Sequence, residues 1–220
     1  MILLIDKPKG ITSFGVIRVL RRQLGIRKMG HAGTLDPLAT GLLIIGTEKS
    51  TKELASFMGL PKEYEFVVEF GKTSTSYDAD GEITEGQLRE VSREEFEAAL
   101  QPFVGEIQQR PPIFSAIKVN GRRAYDRARK GEEVVLEPRT VTISSLEVLE
   151  WNWPFVKMRM ACSKGTYVRS LAHDLGQVLG VGGYVTELRR TAIGSYRVED
   201  AELLELPPRD VPEHNSQTAV

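Results

Sequence analysis

One carboxylate in a glycine-rich segment is the residue of this sequence best suited to chemistry. The segment Gly30–Gly41 contains three glycines, one proline, His31 and Asp36. An ionised carboxylate on a rigid loop can serve as a nucleophile. The same spacing fits an Asx turn, in which the side chain of Asp36 caps the backbone near Ala39. Spacing alone leaves both interpretations open.

Other chemistries have little support in the residue pattern. Three histidines have no neighbours at metal-ligand spacing: His31, His173 and His214. Asp78–Gly81 begins like a calcium loop but lacks the closing glutamate, and Gly176–Gly183 lacks the flanking strand and helix of a phosphate-binding loop. Cys162 lies in a strand-like segment, and no nucleophile elbow is present. We therefore expect no metal and no cofactor.

The segments before Asp36 must position it, and their patterns predict defined elements. The apolar run Ile2–Ile5 predicts a buried strand that ends at the turn Lys7–Gly10. Thr12 or Ser13 can cap a helix with an apolar stripe. The members of that stripe are Val16, Ile17, Val19, Leu20 and Leu24. The basic residues of the same helix should form its exposed face.

The remaining elements alternate irregularly between strands and helices. We expect strands at Leu42–Ile45, Tyr64–Phe70, Tyr184–Ile193 and Tyr196–Val198, a hairpin over Val141–Met160 that turns at Trp151–Pro154, and a loop over Thr73–Gly81. We expect helices at Lys52–Met58, after the capping box of Ser92 and Glu95, at Ala124–Lys130 and at Thr166–Leu179. Most connections are too short for parallel crossovers. The prediction is an α+β fold with a mixed, mainly antiparallel central sheet flanked by helices.

The composition indicates a folded protein of a reducing compartment. The chain has 220 residues, of which 41% are hydrophobic and 27% charged, which excludes intrinsic disorder over most of it. The single cysteine excludes an intramolecular disulfide. The apolar run Met1–Ile5 is too short for a signal peptide or a membrane span. We expect a cytoplasmic protein that does not bind membranes.

The net charge of −1 hides a strong segregation of charge. Residues 1–30 contain seven basic residues and one acidic residue, as do residues 110–130, so each segment has a net charge of +6. Residues 77–106 contain nine acidic and two basic residues, a net charge of −7. A single charged run is usually a solvated face. Two basic segments that converge in the fold would form a surface for a polyanion.

Five stretches, in order along the chain, resemble those of the TruB-type tRNA pseudouridine-55 synthases. The most specific is Gly30–Gly41, which is similar to the family's catalytic-aspartate motif. The others are Asp6–Ser13; Lys62–Tyr64 with Gly71–Thr75 and Asp78–Gly81; Arg110–Pro112 with Ser115–Lys118 and Gly121–Tyr125; and Cys162–Ser170 with Leu188–Thr191. The resemblance covers about residues 2–200 and implies the pseudouridine synthase fold.

The resemblance implies a role for each matching residue. Asp36 corresponds to the nucleophile that attacks the target uridine, so that the base can detach, rotate and rejoin through carbon. Tyr167 corresponds to a tyrosine that helps to remove the C5 proton, and Arg169 to an arginine paired with the aspartate. Four residues are implied to bind the substrate: Tyr64, which stacks on the flipped base; Leu188, a pocket wall; His31, which inserts among the T-loop bases; and Lys7.

Three of these matches also have a plainer interpretation. Tyr64 fits a core tyrosine of an alternating strand, Arg169 a surface arginine of a helix, and His31 a loop histidine with its hydrogen bonds satisfied. Two other functions fit the same resemblance: a synthase guided by a partner RNA, and an RNA-binding or tRNA-folding factor that does not depend on turnover.

The implied substrate is the T-arm stem-loop of tRNA, bound by a monomer with no obligatory protein partner. The basic residues expected to hold the RNA backbone are Arg18, Arg21, Arg22, Arg122, Arg123, Arg127 and Lys130. Family members commonly continue into an RNA-binding domain of the PUA type, and this sequence ends about where that domain would begin. We expect one catalytic domain over residues 1–206, a disordered tail over 207–220 and no PUA domain.

Overall fold

The computed structural model describes residues 1–115, 118–119, 122–123 and 135–206. The predicted basic helix Ala124–Lys130 and the predicted disordered tail lie outside the described residues. The chain divides into two compact units. The first unit consists of Met1–Gly59 and the chain from Arg190 onward, and the second of Leu60–Arg189. One catalytic domain over residues 1–206 stays a prediction.

Helices and strands alternate along the described residues. The α-helices are α1 (Ser13–Leu24), α2 (Leu54–Gly59), α3 (Arg93–Leu100) and α4 (Val168–Val178), and short 3₁₀ helices lie at Glu48–Lys52, Gln101–Phe103 and Val198–Asp200. The first seven strands are β1 (Ile2–Lys7), β2 (Met29–Ala32), β3 (Thr40–Thr47), β4 (Lys62–Phe70), β5 (Lys72–Ser74), β6 (Ile83–Glu85) and β7 (Gly105–Gln109). The others are β8 (Lys118–Val119), β9 (Arg122–Arg123), β10 (Arg139–Asn152), β11 (Phe155–Cys162), β12 (Gly183–Ile193), β13 (Tyr196–Arg197) and β14 (Glu202–Leu203).

The first unit contains a mixed sheet. Strand β1 pairs antiparallel with β3 and parallel with β14, and β2 pairs antiparallel with β3. The end of β12 lies beside β3 and carries β13. Helix α1 packs its apolar stripe onto this sheet, where Val16, Ile17 and Leu20 join a buried cluster with Ile5 and Leu43. Burial of apolar area is what holds such a helix on its sheet.

Local signals set both ends of α1. The side chain of Thr12 accepts a hydrogen bond from the backbone N–H of Gly15 at 2.9 Å, and this satisfies one of the amides left over at the helix start. The helix ends at Gly25, whose φ of 66° suits glycine. The predicted helix is confirmed, but Leu24 is 45% exposed and was wrongly assigned to the stripe. Leu24 is the last residue of the helix, directly before Gly25, and at this end its side chain is no longer covered.

The second unit contains an antiparallel sheet in the order β4–β11–β10–β7, with β12 beside β4 up to Arg189. Phe66, Val68 and Phe70 of β4 are buried, as the alternation predicts. The hairpin β10–β11 turns at Trp153-Pro154, as predicted. The side chain of Ser92 caps α3 through the N–H of Glu95 at 3.1 Å, which confirms that half of the capping box. The fold is α+β with a mixed central sheet flanked by helices, as predicted.

Several boundaries differ from the prediction by one or two residues, among them helix α2, which spans Leu54–Gly59 and not Lys52–Met58. Three differences have a clear structural reason. The glycine-rich segment begins as strand β2, because its backbone pairs with β3 through His31 and Ile45. The predicted loop Thr73–Gly81 begins within a hairpin, because β5 pairs with β6. Helix α4 begins at Val168 and not at Thr166, because Tyr167 has an extended backbone.

Candidate active site

The Asp36 segment follows β2 and is held by contacts on both sides of the aspartate. The Oγ of Ser13 accepts a hydrogen bond from the N–H of Leu35 at 2.8 Å and donates one to its carbonyl at 3.1 Å. The carbonyl of Asp36 accepts a hydrogen bond from the N–H of Ala39 at 3.1 Å, which closes a tight backbone turn. Leu35 and Leu38 are buried beside a half-buried Asp36. The carboxylate therefore stands on a segment that its neighbours fix in place.

Lys7 supports the same segment from β1. Its side chain is 0% exposed, and its Nζ donates to the carbonyls of Pro8 at 2.9 Å, Ile11 at 2.7 Å and Pro37 at 3.4 Å. A buried ammonium needs such partners, because desolvation of a charge costs several kcal/mol. The N–H of Gly10 also binds the carbonyl of Pro37, at 2.7 Å. These contacts make Lys7 a support for the backbone next to Asp36.

Arg190, at the end of β12, holds the other side of the segment. Its side chain is 1% exposed; its Nε donates to the carbonyl of Leu42 at 2.7 Å, and its guanidinium donates to that of Gly33 at 3.2 Å. Gly41 has a φ of 98°, and a Cβ there would lie 2.7 Å from the backbone nitrogen of Arg190. Both the conformation and the close approach require glycine at this position.

His31 lies in β2 and is half-buried. Its Nδ1 is buried and has no hydrogen-bond partner among the described residues. Burial lowers the pKa of His31, and the nearby charge of Arg190 lowers it further, so the imidazole is neutral at pH 7. His31 is therefore not a fully satisfied loop histidine. Its insertion into an RNA loop stays a prediction.

In the second unit, Arg169 forms a buried ion pair with Asp78. The guanidinium and the carboxylate are 3.3 Å apart, and both side chains are 4% exposed. Arg169 also donates to the carbonyls of Ser76 at 2.9 Å and Phe114 at 2.8 Å. The interpretation of Arg169 as a surface arginine is therefore wrong. The predicted pairing of Arg169 with Asp36 stays a prediction.

Tyr167 stands at the start of α4, and Gln109 of β7 fixes its backbone. The amide side chain of Gln109 accepts from the N–H of Tyr167 at 2.7 Å and donates to its carbonyl at 3.0 Å. Gln109 is buried. The guanidinium of Arg139 lies 5.7 Å from the centre of the Tyr167 ring. This cation–π contact adds a side-chain restraint on the Tyr167 ring to the backbone contacts of Gln109.

The two remaining implied base contacts lie on neighbouring strands of the second unit. Tyr64 is half-buried on β4, opposite Met160 of β11. Leu188 is buried on β12. The structure places Asp36, His31 and Lys7 in the first unit, and Tyr64, Tyr167, Arg169 and Leu188 in the second.

Two neighbouring residues of α4 have shifted pKa values. Burial raises the pKa of the Asp174 carboxyl to about 6, against the opposing effect of Arg110. Burial lowers the pKa of His173.

Cys162, at the end of β11, is not a candidate nucleophile. Burial raises the pKa of its thiol to about 11, so the thiol stays protonated and unreactive at neutral pH.

The predicted basic face of α1 is present. Arg18 and Arg22 are exposed, and the guanidinium of Arg21 lies 5.8 Å from the centre of the Phe14 ring. Phe14 is 57% exposed, so a large aromatic side chain accompanies the basic residues of this face. In the second basic segment, residues 110–130, the backbone of Arg122 and Arg123 forms strand β9. Arg127 and Lys130 lie outside the described residues.

Two family models match this chain. The model of the TruB family pseudouridylate synthase N-terminal domain matches residues 21–168, and that of the tRNA pseudouridylate synthase B C-terminal domain matches residues 169–207. The chain belongs to the TruB family. The resemblance seen in the sequence motifs is thereby confirmed.

Relatives of the TruB family match most of the chain. A tRNA pseudouridine synthase B of Phocaeicola vulgatus is 48% identical over 94% of this chain and 91% of its own. One of Aquifex aeolicus is 50% identical over 92% of this chain and 71% of its own. A solved structure of a Cbf5-Nop10-Gar1 complex contains a chain that is 31% identical, with a TM-score of 0.73. That match covers 92% of this chain and about half, 52%, of the other. The pseudouridine synthase fold is confirmed.

Three residues that support the predicted ones had no role assigned from the sequence: Asp78, Gln109 and Arg190. Asp78 and Arg190 lie within quoted motifs, but the partner of Asp78, Arg169, is 91 positions away. Gln109 directly precedes a quoted motif. The partners of Gln109 and Arg190 are backbone groups, which any residue type supplies. Among the described residues there is no cluster of three or more metal-ligating side chains, and no helix is long and apolar enough to cross a membrane.

Proposed function

We propose that this protein converts the T-loop uridine of tRNA, position 55, to pseudouridine with Asp36 as its nucleophile. Membership in the TruB family supports the isomerase activity, and relatives about half identical to this chain are named tRNA pseudouridine synthase B. The observation that carries the role of Asp36 is its segment, which Ser13, Lys7 and Arg190 hold in one conformation. A nucleophile needs such a fixed position.

The reaction is an isomerisation, so atoms and electrons balance within the substrate. The N-glycosidic bond between C1′ and N1 breaks, the uracil rotates and a carbon–carbon bond forms between C1′ and C5. The C5 proton leaves, and N1 takes up a proton in exchange. Asp36 supplies the electron pair that starts the exchange and regains it when the product leaves. Tyr167 helps to remove the C5 proton, and Arg139 and Gln109 hold its ring and backbone in position. No oxidation state changes, so the reaction requires no redox partner.

Arg169 supports the charge of the reacting carboxylate in this proposal. An arginine beside an aspartate stabilises the ionised form and offsets the desolvation that a bound base imposes. The ion pair with Asp78 and the two carbonyl contacts fix the orientation of the guanidinium. Arg169 is therefore prepared before substrate arrives.

A uridine within a folded T-loop must leave its stack before it can react. Flipping costs a few kcal/mol, and stacking on an aromatic side chain returns about 1–3 kcal/mol per base. Tyr64 supplies that ring, Leu188 lines the pocket, and His31 inserts among the loop bases. Recognition by loop shape and splayed bases is usual for RNA.

The basic face of α1 binds phosphates of the T-arm, together with Arg122, Arg123, Arg127 and Lys130. The exposed Phe14 beside Arg21 suits a nucleic-acid surface, because aromatic rings stack on bases and sugars while arginines bind phosphates. The protein acts in the cytoplasm as a monomer without a protein partner. Residues 1–206 form its catalytic domain.

Tritium release from C5-labelled uridine in a T-arm hairpin tests the proposal. We expect release by the wild type and by Asp200→Asn, which changes an exposed aspartate of the same unit. For Asp36→Asn we expect a loss of the order of 10³-fold or more, because the nucleophile is removed. No release by the wild type, or equal release by Asp36→Asn, contradicts the proposal. Activity on the bare hairpin also excludes a guide-dependent synthase and a factor without turnover.

A further inference from the structure

Two aromatic rings of the second unit stack face to face beside the Arg169–Asp78 ion pair. The rings of Tyr77 and His173 have centres 3.9 Å apart and planes that differ by 11°. Tyr77 lies in the loop between β5 and β6, and His173 lies on α4. Both side chains are half-buried. The stack joins a loop to the helix that carries Arg169.

Tyr77 has a backbone conformation that its residue type disfavours. Its φ is 64°, and only one other described non-glycine residue has a positive φ. A left-handed conformation at such a residue costs of the order of 1 kcal/mol or more and persists only when its surroundings hold it. The stack on His173 is a direct contact of the Tyr77 ring.

The left-handed turn determines what Arg169 binds. Tyr77 lies between Ser76, whose carbonyl accepts from Arg169 at 2.9 Å, and Asp78, whose carboxylate lies 3.3 Å from the same guanidinium. The N–H of Tyr77 donates to the carbonyl of Ser74 at 3.1 Å, so the chain turns at this point. The left-handed conformation of Tyr77 is part of the turn that carries both acceptors.

His173 lies four positions after Arg169 on α4, so both side chains leave the same face of the helix. The helix thus holds the loop at two points: Arg169 binds the residues on each side of Tyr77, and His173 binds the ring of Tyr77 itself.

We infer that His173 is a positioning residue for the reaction, since its stack on Tyr77 keeps Ser76 and Asp78 in place around Arg169. This inference rests on the proposed role of Arg169. His173 contributes to the stack through its flat ring and not through a change of protonation. Burial lowers the pKa of His173 and so favours the neutral imidazole, and its Nδ1 has no hydrogen-bond partner among the described residues.

The loop has a second anchor that does not depend on the stack. The N–H of Val185 donates to the carbonyl of Tyr77 at 3.0 Å, and the carbonyl of Val185 accepts from the N–H of Ala79 at 2.9 Å.

Within the loop, the N–H of Asp80 donates to the carboxylate of Asp78 at 3.1 Å, and the Oγ of Ser76 donates to the same carboxylate. Loss of the stack should therefore leave the loop folded and attached to β12, and change only how Ser76 and Asp78 align with Arg169. Catalysis should suffer more than folding.

The test compares three substitutions of His173 in the tritium-release assay on the T-arm hairpin. His173→Ala and His173→Leu remove the flat ring, and His173→Phe keeps it. We expect kcat to fall about 3- to 10-fold for the first two, which is the value of an aromatic pair converted to a rate. We expect His173→Phe and Tyr77→Phe to stay within about 2-fold of the wild type, and KM to change little throughout. Gln177→Ala, an exposed position on the same helix, is the matched control.

Several outcomes overturn the inference. It is wrong if His173→Ala and His173→Leu both keep the wild-type kcat, or if His173→Phe is as impaired as they are, since imidazole chemistry then matters. A rise in KM without a fall in kcat also contradicts it. If His173→Ala fails to fold, the comparison of His173→Leu with His173→Phe decides. Inactive wild-type protein would refute the proposed function instead, which separates the two failures.

Discussion

Three predicted or supporting residues have cationic side chains that are almost completely buried: Lys7 and Arg190 in the first unit, and Arg169 in the second. Each is used to hold backbone in place. Lys7 binds three carbonyls, Arg190 binds two, and Arg169 binds two carbonyls and a carboxylate. A buried charge that loses its partner costs far more than a surface ion pair gains. Within each unit, the order of the backbone that these side chains contact therefore depends on a buried charge.

Asp78→Asn tests that dependence. The substitution keeps the shape of the side chain but removes the buried carboxylate that lies 3.3 Å from the guanidinium of Arg169, so we expect a loss of about 3–5 kcal/mol in the free energy of unfolding. Urea unfolding measures it. Asp80→Asn, at an exposed position of the same motif, should change stability by no more than about 0.5 kcal/mol. Equal urea midpoints for Asp78→Asn and Asp80→Asn would show that the ion pair between Arg169 and Asp78 does not contribute to stability.

The elements around Asp36 matter through their backbone more than through their side chains. Strand β2 brings the chain to the segment, the N-terminal end of α1 binds Leu35 through Ser13, and β3 leads away from it at Gly41. Gly41 lies against the backbone of β12 with a left-handed conformation, so the segment can close only where no side chain intervenes.

Gly41→Ala should therefore damage the Asp36 segment, whereas Gly25→Ala should cost little. Both glycines have positive φ, 98° and 66°. A Cβ on Gly41 meets the backbone of Arg190, while a Cβ on Gly25 meets nothing within 4 Å. We expect a loss of about 1 kcal/mol for Gly25→Ala from strain alone and a loss several times larger, with loss of tritium release, for Gly41→Ala. Similar unfolding midpoints for the two variants would contradict this account.

The elements were largely predictable from sequence, but the supports of the site were not. Periodicity and capping residues predicted α1, α3, β4 and the β10–β11 hairpin, because these signals are local. The motif around Asp36 drew attention by its glycines and its lone carboxylate. The role of Arg190 was not predictable, since its acceptors are carbonyls 148 and 157 positions away. Any residue type supplies a carbonyl, so the pattern of residues holds no trace of such a contact.

Across the whole molecule, the net charge of −1 is a cancellation. The first unit carries the basic N-terminal segment, and the acidic segment 77–106 lies in the second unit, partly on α3. A substrate as highly charged as tRNA responds to such local fields and not to the total. Affinity should then depend on a few arginines and should fall steeply with salt.

A double charge reversal of Arg18 and Arg22 tests the RNA-binding face of α1. We expect weaker binding of the T-arm hairpin and a salt dependence, log Kd against log salt, that is shallower by roughly 1 to 2, because two phosphate contacts are lost. Filter binding from low to high salt measures both quantities. The matched control reverses Lys49 and Lys52, two exposed lysines of the same unit that lie outside the basic segments. If the two double variants behave alike, the face of α1 has no special role.

The position of Arg190 has a consequence for synthesis on the ribosome. Gly33, Gly41 and Leu42 leave the exit tunnel about 150 residues before the side chain and backbone that hold them. A nascent chain therefore carries Asp36 on an incompletely held segment until β12 has been made. The carboxylate reaches its final position only when β12 has emerged from the ribosome, so chemistry must wait for that strand.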